Sequence, residues 1–424
     1  MKYRSITGMR DVLPEEQPYW RYIEQKIYEI TRLYGYKRID PPVLEETALF
    51  VRGVGETTDI VEKEMYSFQD KGEGLVTMRP EFTAGVLRAY LQNGLHVQAK
   101  PVKLFSIGPV FRYERPQAGR FRQHNQFNVE ALGEQDPALD LEIMSIAWQL
   151  YAELGFKGLK FQLNSTGCPV CRPSYIAKLK DYYQNHYETI CNDCKRRLDK
   201  NPLRLLDCKN EGCRPVIAGA PVISEHLCND CNTHFAKLRH YLQLTNRDFA
   251  INHKLVRGLD YYTKTVFEVW AQGIGAQNAM CGGGRYDGLI EQLGGEPTPG
   301  IGFGSGIERI ILSMQQQNLP VPTPQNPAIF IASMGDKARL AAIELTFKLR
   351  NEKLATLLAF GDRSIKSQMK EANRYNARYA VILGEREIDE QKASIKNLET
   401  GSQTDLPLEQ LVAFFQENLK NNSL

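Results

Sequence analysis

One stretch of eight residues combines side chains that suit a binding site for a small charged molecule. Leu255 to Tyr262, LVRGLDYY, contains one arginine and two adjacent tyrosines. The alternation of β-branched and aromatic residues from Thr263 to Val269 predicts a strand directly after it. Arg257 is therefore expected in a turn that enters this strand, with the two tyrosines on opposite faces. A guanidinium group and a phenol together suit an anion and a polar ring.

A glycine-rich segment, Cys281 to Leu289 with the sequence CGGGRYDGL, follows soon after. Because glycine has no Cβ, such a segment lets the backbone approach a ligand closely. The two segments together predict a recognition site for a small polar molecule.

A loop rich in arginine predicts a second site, which would bind phosphate. Residues 111–116, FRYERP, end a predicted strand, and residues 304–309, GSGIER, place another arginine just inside a predicted helix. Guanidinium donates two parallel hydrogen bonds to a phosphate edge, although the same pattern also occurs in solvated hairpins. The charged residues of the loop and helix are Arg112, Glu114, Arg115, Arg120, Arg122 and Arg309.

In this order, the loop, the helix and LVRGLDYY resemble the signatures of class II aminoacyl-tRNA synthetases, and specifically of the histidyl-tRNA synthetase family. Residues 39–45, IDPPVLE, resemble the first class II motif, which forms the dimer interface in that class. The resemblance implies an enzyme that forms histidyl-adenylate from L-histidine and ATP, accompanied by Mg²⁺. Histidine then passes to tRNA(His), and AMP and diphosphate are released. It also implies a cytoplasmic homodimer.

Two other readings remain open. One is the inactive, synthetase-like regulatory subunit of ATP phosphoribosyltransferase, which resembles the catalytic core but typically lacks the last domain and loses the catalytic signatures. Here those signatures are intact, and about a hundred further residues follow the core. The other is a class II synthetase for a different amino acid, which the segments around Arg257 and Arg285 disfavour.

The resemblance implies an ATP site residue by residue. Arg112 matches the arginine that holds the α-phosphate, and Glu114 matches the carboxylate that reads the adenine amino group. Arg309 matches the arginine on the γ-phosphate, and Arg120 is implied near the triphosphate. Arg257 matches an arginine on the opposite side of the α-phosphate. Attack on that phosphate crowds charge onto its oxygens, so Arg112 and Arg257 are the implied catalytic groups.

The resemblance also implies a histidine site. Glu81 and Thr83, in MRPEFTA, match the residues that bind the ammonium group. Gln126 and Glu130 alternate onto one face of a predicted strand, and match a glutamine at the substrate's main-chain end and a glutamate on its imidazole. The site is completed by Tyr262 on the imidazole, its neighbour Tyr261, and Arg112 and Arg257. His124-Asn125 departs from the Phe-His of many relatives and is given no role.

Eight of the nine cysteines lie between Cys168 and Cys231, which predicts metal binding or redox chemistry rather than structural disulfides in a cytosolic protein. Two four-cysteine zinc sites would supply folding free energy to a small domain. The first two pairs have the separation of a four-cysteine zinc site, and the last two could form another, although four pairs combine into two sites in three ways. The alternatives to zinc are reduced core thiols or a redox-sensitive cluster. The pairs are Cys168 and Cys171, Cys191 and Cys194, Cys208 and Cys213, and Cys228 and Cys231.

The elements that position these groups predict an α+β fold. Strands that follow one another with few crossover helices indicate an antiparallel sheet with flanking helices, as in a class II catalytic core. The core is predicted over residues 1–322, with a cysteine-rich helical insertion at 166–245. A proline-rich linker at 315–327 precedes an α/β domain at 328–424, where the resemblance implies anticodon binding.

A run of basic residues in the last domain predicts one stripe of a helix, because they recur at spacings of three and four. A solvated helix face is the default reading, and contact with the phosphates of a single-stranded RNA loop is the functional one. The residues are Arg363, Lys366, Lys370, Arg374 and Arg378.

Composition sets the class of protein. The 424 residues are 42% hydrophobic and 24% charged, as in a soluble globular protein of two or three domains. No apolar run approaches the ~20 residues that a membrane span needs, and no secretion leader is evident, so a cytoplasmic protein without a membrane partner is expected. The net charge of +3 neither identifies nor excludes an RNA partner.

Overall fold

The computed structural model describes residues 3–55, 58–116, 119–273, 279–322 and 326–419. The chain divides into two compact units, residues 1–322 and 323–424. The division falls inside the predicted linker 315–327, of which residues 323–325 lie outside the described part.

The first unit is built from helices packed on antiparallel sheets. Its strands are β1 (Lys37–Arg38), β2 (Leu44–Glu46), β3 (Tyr66–Gln69), β4 (Leu75–Met78), β5 (Val102–Phe111), β6 (Gln123–Leu132), β7 (Lys160–Ser165), β8 (Phe249–Ile251), β9 (Thr263–Trp270), β10 (Ala279–Arg285) and β11 (Gly300–Gly306). Its helices are α1 (Gln17–Leu33), α2 (Thr47–Val54), α3 (Thr83–Gln92), α4 (Pro137–Glu153), α5 (Arg172–Gln184), α6 (Asn192–Lys200), α7 (Arg214–Ala218), α8 (Asn229–Leu244), α9 (Leu289–Gln292) and α10 (Ile307–Gln316).

An eight-stranded sheet forms the centre of this unit, in the order β1-β5-β6-β11-β10-β9-β7-β8. The pairings from β5 to β7 are all antiparallel, whereas the short edge strands β1 and β8 pair in parallel. A separate sheet, β2-β4-β3, is antiparallel as well. The prediction of an α+β core around an antiparallel sheet is confirmed.

The two faces of strand β6 differ in polarity. Phe127 and Val129 are buried in the main core, to which α4 and α10 contribute. Because successive side chains of a strand point to opposite faces, Gln126, Asn128 and Glu130 lie on the other face. That polar face carries the candidate site.

Helix α1 contributes apolar side chains to the main core, which lies on the other face of the sheet from the candidate site. Ile23, Ile27 and Ile30 recur at helical spacing and are buried in the main core, as the apolar pattern predicts. Each such side chain stabilises the fold by about 2 kcal/mol relative to an exposed one. Gly35, with φ of +76°, follows the helix in the left-handed conformation that glycine adopts without a steric cost.

Between β7 and β8 the chain leaves the sheet and forms the predicted insertion, which consists of α5 to α8 and short 3₁₀ turns. Tyr175, Leu179 and Tyr183 belong to a small core of its own. Helix α8 instead packs Phe235 and Leu238 into the main core, beside α4. The insertion is therefore anchored to the rest of the unit by its last helix.

The second unit is a five-stranded sheet in the order β13-β12-β14-β15-β16, parallel from β13 to β14 and antiparallel beyond. The α/β character predicted for it is confirmed. Its elements are β12 (Ile329–Met334), β13 (Thr356–Leu358), β14 (Tyr379–Gly384), β15 (Lys392–Asn397), β16 (Gln403–Pro407), α11 (Asp336–Asn351), α12 (Ile365–Arg374), α13 (Glu385–Asp389) and α14 (Leu411–Leu419).

The predicted stripe of five basic residues on one helix is wrong at both ends. Helix α12 begins after Ser364, which caps it, and it ends before Tyr375. Arg363 therefore lies outside the helix and pairs with Glu371 at 2.5 Å. Arg378 also lies outside it, because the chain has already turned toward β14.

Candidate active site

The polar face of the sheet opens into a cavity of about 150 Å³, called here the small cavity. Seven of the residues predicted to bind histidine line it: Glu81, Thr83, Arg112, Gln126, Arg257, Tyr261 and Tyr262. Side chains without a predicted role also line it, and these are Ile60, Asn128, Leu259, Tyr286 and Phe303. Alternation along β6 would have found Asn128, which lies between Gln126 and Glu130.

Glycines in β10 and β11 make room for the functional side chains. A Cβ on Gly302 would overlap the Glu130 carboxylate on the neighbouring strand β6. A Cβ on Gly282 would overlap the Arg257 guanidinium. At these two positions the missing Cβ leaves room for side chains of the protein itself. Both glycines also line the cavity.

Glu81 is buried at the start of helix α3. Its carboxylate accepts hydrogen bonds from the N–H groups of Thr83 at 2.6 Å and Ala84 at 2.8 Å. A helix N-terminus favours negative charge, whereas burial raises the pKa of Glu81. The arrangement presents a fixed acceptor to a cationic group in the cavity.

Glu130 is buried beneath the cavity and contacts several of its lining residues. Its Oε1 accepts from the Thr83 hydroxyl at 2.5 Å and the Asn128 amide at 2.9 Å, and its Oε2 accepts from the Tyr286 hydroxyl. A carboxylate offers about four lone pairs, so about one remains, on the oxygen beside Gly302. Burial raises the pKa of Glu130 to about 7.

The expectation that Tyr261 and Tyr262 point to opposite faces is wrong. Both precede β9, which begins at Thr263, so strand alternation does not apply to them. Their ring centroids lie 4.7 Å apart, and the Tyr261 ring is 5.7 Å from that of Tyr286. The three phenols form one aromatic wall of the small cavity.

Arg257 projects over Gly282 toward strand β9. Its Nη1 donates to Glu268 Oε1 at 2.8 Å, and Glu268 Oε2 accepts from the Trp270 indole at 2.9 Å. Among the described residues, no hydrogen-bond partner is found for its buried Nε. The charge is thus held in place by an ion pair while the side chain still lines the cavity.

A second, larger cavity of about 780 Å³ adjoins the first, and Ile60, Arg112 and Gly258 line both. Glu114 and Arg120 line the larger one, with Arg120 Nη1 3.4 Å from Glu114 Oε2. Arg112 Nε donates to the Pro80 carbonyl at 2.8 Å, which fixes the side chain between the two cavities. A ligand group located where the two cavities join would contact Arg112.

The other arginines of this loop are arranged differently. The Arg122 guanidinium stacks on the Tyr113 ring at 3.7 Å, and its Nε donates to the Glu114 carbonyl at 3.2 Å. Arg122 therefore contacts the main chain of Glu114, whereas Arg120 contacts its carboxylate. Residues 117–118 of the predicted loop lie outside the described part.

Arg309 lies on α10 and donates from Nη1 to the Ala279 carbonyl at 3.3 Å. Burial lowers its pKa, and the charge of Arg120 acts in the same direction. Burial also lowers the pKa of His124 to about 3, with contributions from Arg112 and Arg309. These four side chains therefore lie within electrostatic reach of one another, and the imidazole is neutral. Such a cluster of arginines suits a polyphosphate.

Two positions without a predicted role, Asn125 and Arg285, have structural partners. Asn125 donates to the buried Glu308 carboxylate from its N–H at 2.9 Å and its side-chain amide at 3.0 Å. Arg285, in the glycine-rich segment, is fully buried away from the cavity. Its Nε donates to Asp140 Oδ1 at 2.6 Å, and Asp140 Oδ2 also contacts His234 of α8 at 2.8 Å.

The eight clustered cysteines form two groups of four. The neck cluster consists of Cys168, Cys171, Cys228 and Cys231, and joins the start of the insertion to the start of its last helix, α8. The wall cluster consists of Cys191, Cys194, Cys208 and Cys213, and two of its members, Cys191 and Cys208, line the larger cavity. The first pair is thus joined to the last, and the grouping of the first pair with the second is wrong, because the chain brings Cys228 and Cys231 back to Cys168 and Cys171.

Sulfur distances within the clusters suit a tetrahedral metal ion. Neighbouring Sγ atoms lie 3.7 to 3.8 Å apart in the neck cluster and, for Cys191 and Cys208, 3.8 Å apart in the wall cluster. Four thiolates about 2.3 Å from one Zn²⁺ would lie about 3.8 Å from each other. A disulfide bond would require the two Sγ atoms to lie about 2.05 Å apart, so all eight cysteines are free thiols here.

Two family models match the chain. One described as histidyl-tRNA synthetase matches residues 8–168 and 214–310, and one described as an anticodon binding domain matches residues 328–418. The unmatched residues 169–213 contain the entire wall cluster. The comparison therefore covers both units and omits the first half of the insertion.

Curated relatives and solved structures match over nearly the whole chain. A protein named histidine–tRNA ligase from Dehalococcoides mccartyi strain 195 is 50% identical, over 98% of this chain and 100% of the relative. Another of that name from Caldanaerobacter subterraneus is 47% identical, over 97% of this chain and 99% of the relative. The structure of histidyl-tRNA synthetase from S. aureus is 34% identical, with a TM-score of 0.82 over 98% of this chain and 100% of that one. A Bacillus halodurans structure described as a regulatory subunit/histidyl-tRNA synthetase is 22% identical with a TM-score of 0.64, over 91% and 99%, which shows the fold alone.

Proposed function

This chain belongs to the histidyl-tRNA synthetase family of class II histidine–tRNA ligases, and we propose that its two adjoining cavities hold histidine and ATP for adenylate formation. The observation that carries this proposal is Arg112, which lines both cavities. The regulatory-subunit alternative is less supported, because the full-length curated relatives are named as ligases.

Histidine would occupy the small cavity. Glu81 and Thr83 would take its ammonium group, because the Glu81 carboxylate is already oriented by helix α3. Glu130 would accept from the imidazole through its remaining lone pair, and the adjacent Tyr261 and Tyr262 would complete the pairing of the ring. Gln126 would contact the main-chain end of the substrate. A site that pairs both ring nitrogens rejects isosteres, since these would leave buried polar groups unpaired.

ATP with Mg²⁺ would occupy the larger cavity. Arg112 would hold the α-phosphate where the cavities meet, and Glu114 would read the adenine amino group. Arg120 and Arg309 would bind the β- and γ-phosphates. The histidine carboxylate would attack the α-phosphorus as diphosphate leaves, with Arg112 and Arg257 opposing the charge that develops on the non-bridging oxygens.

Transfer of histidine to tRNA(His) would use the second unit for the anticodon, as its family match supports. We also propose a cytoplasmic homodimer, with residues 39–45 near the interface. Among the described residues, no helix is both long and apolar enough to cross a membrane. Light scattering should give twice the 48.3 kDa chain mass, and a monomer would contradict the dimer.

Exchange of pyrophosphate into ATP, without tRNA and with each of the twenty amino acids, tests the adenylate step. We expect exchange with histidine and with no other amino acid. Exchange with a different amino acid would reject the specificity. Histidine binding without any exchange would instead favour the regulatory alternative.

We further propose that each cysteine cluster holds one Zn²⁺. Four cysteines close the coordination sphere, which is typical of structural rather than catalytic zinc. Protein purified without chelator should contain two zinc ions per chain by elemental analysis. Intact folded protein without zinc would indicate reduced core thiols instead.

A further inference from the structure

Arg172 connects the neck cluster to the small cavity. It follows Cys171 directly and begins helix α5, but its guanidinium group turns back toward the start of β9. Its Nε donates to the Thr166 carbonyl at 2.8 Å, and its Nη2 donates to the carbonyls of Gly167 at 3.3 Å and of Tyr262. One side chain thus bonds both to the neck of the insertion and to a residue of the cavity wall.

The main chain beyond Tyr262 is also tied to the neck, and it is strained. The Thr166 N–H donates to the Lys264 carbonyl at 2.7 Å, and the Lys264 N–H donates to the Gly167 carbonyl at 2.8 Å. Lys264 has φ of +49°, and the register of β9 against β10 shifts nearby. A non-glycine residue in this conformation costs roughly 1 kcal/mol or more, so surrounding contacts must hold it.

The charge of Arg172 suits this position. Zinc bound by four thiolates carries a net charge of about −2, which an adjacent guanidinium group opposes. The planar guanidinium also has five N–H donors, enough to serve several carbonyl oxygens at once. A lysine would keep the charge but could not reproduce the fixed geometry.

We propose that Arg172, which directly follows Cys171 of the neck cluster, is a positioning residue for histidine recognition, because it fixes the main chain of Tyr262 and so the phenol in the small cavity. The inference rests on the proposed function, in which Tyr262 recognises the imidazole. Within the described part of the chain, no hydrogen bond joins the wall cluster to Tyr262.

The chain contains its own matched control. The tetrapeptide CNDC occurs at residues 191–194 and 228–231, and each copy begins a helix, with its first cysteine at the N-cap and its second cysteine buried. In the full-length protein, Cys231→Ser disturbs the neck cluster and Cys194→Ser disturbs the wall cluster. The Kd for histidine, measured by calorimetry without ATP, should rise roughly tenfold in the first variant and less than about twofold in the second. Equal weakening in both, or none in Cys231→Ser, would overturn the proposal.

Substitutions of Arg172 leave every cysteine in place and cover the case in which a cysteine variant does not fold. Arg172→Met should retain both zinc ions and raise the KM for histidine roughly tenfold in pyrophosphate exchange, with the KM for ATP unchanged. Arg172→Lys should recover part of the loss. An unchanged KM for histidine, or an equal rise in both KM values, contradicts the positioning role. Absence of exchange in the unmodified protein would instead reject the proposed function.

Discussion

Replacing Arg257 with alanine should lower the rate of histidyl-adenylate formation by about 100- to 1,000-fold, the usual effect of removing one preorganised donor at a developing oxyanion. The guanidinium group lies over Gly282 and is held by Glu268 at 2.8 Å. Its charge is therefore oriented before ATP binds, and little reorganisation is needed as charge develops on the α-phosphate. The Kd for histidine should change much less, because Glu81, Thr83 and Glu130 supply the proposed contacts to the amino acid.

Two further variants separate this effect from loss of structure. Arg257→Lys keeps the charge without the planar fork and should recover only part of the rate. Glu268→Gln removes the charge that holds Arg257 but leaves the guanidinium group, so it should cost no more than about tenfold. Single-turnover rates and calorimetric Kd values distinguish the outcomes. If Arg257→Ala reduces the rate and the affinity by the same factor, the proposed role in the chemical step is wrong.

The periodic spacing of apolar residues predicted the strands and helices that position the site. It did so because one face of each element must be buried in the core. The alternation that places Gln126 and Glu130 on one face of β6 is maintained by Phe127 and Val129 in the core. Alternation failed at Tyr261 and Tyr262, because both precede β9, whose first residues are themselves irregular, with a positive φ at Lys264 and a register shift against β10. A local pattern cannot show where a strand begins when tertiary hydrogen bonds determine it.

Residue type was a weaker guide to location than periodicity. Arg285 and Arg257 both belong to the segments that resemble the family, yet Arg285 is buried in an ion pair with Asp140 while Arg257 lines the cavity. The pairing of the cysteines likewise depends on how α8 returns to the core, and spacing alone carries no information about that path. Long-range packing therefore determined which of these residues lie together.

Replacing Glu130 with glutamine should weaken histidine binding about 100-fold, because the carboxylate would no longer offer a charged acceptor to the imidazole in a desolvated site. The same change should remove a pH-dependent cost to stability. Burial raises the pKa of Glu130 to about 7 from an ordinary value of 4.5. Between these values the folded state holds a proton that the unfolded state has lost, so the free energy of unfolding falls as the pH rises through this window.

The loss attributable to Glu130 is about 3 kcal/mol once the pH exceeds 7, where the carboxylate must ionise in a buried site. Other groups titrate in the same range, so the informative quantity is the difference between the variant and the unmodified protein, measured by denaturant unfolding from pH 4.5 to 8. That difference should grow with pH in favour of Glu130→Gln, whereas the exposed Glu188→Gln should show no such trend. A difference independent of pH would mean that Glu130 is ionised throughout. The site would then bind the imidazole with a permanent charge, rather than with a carboxylate that ionises near neutral pH.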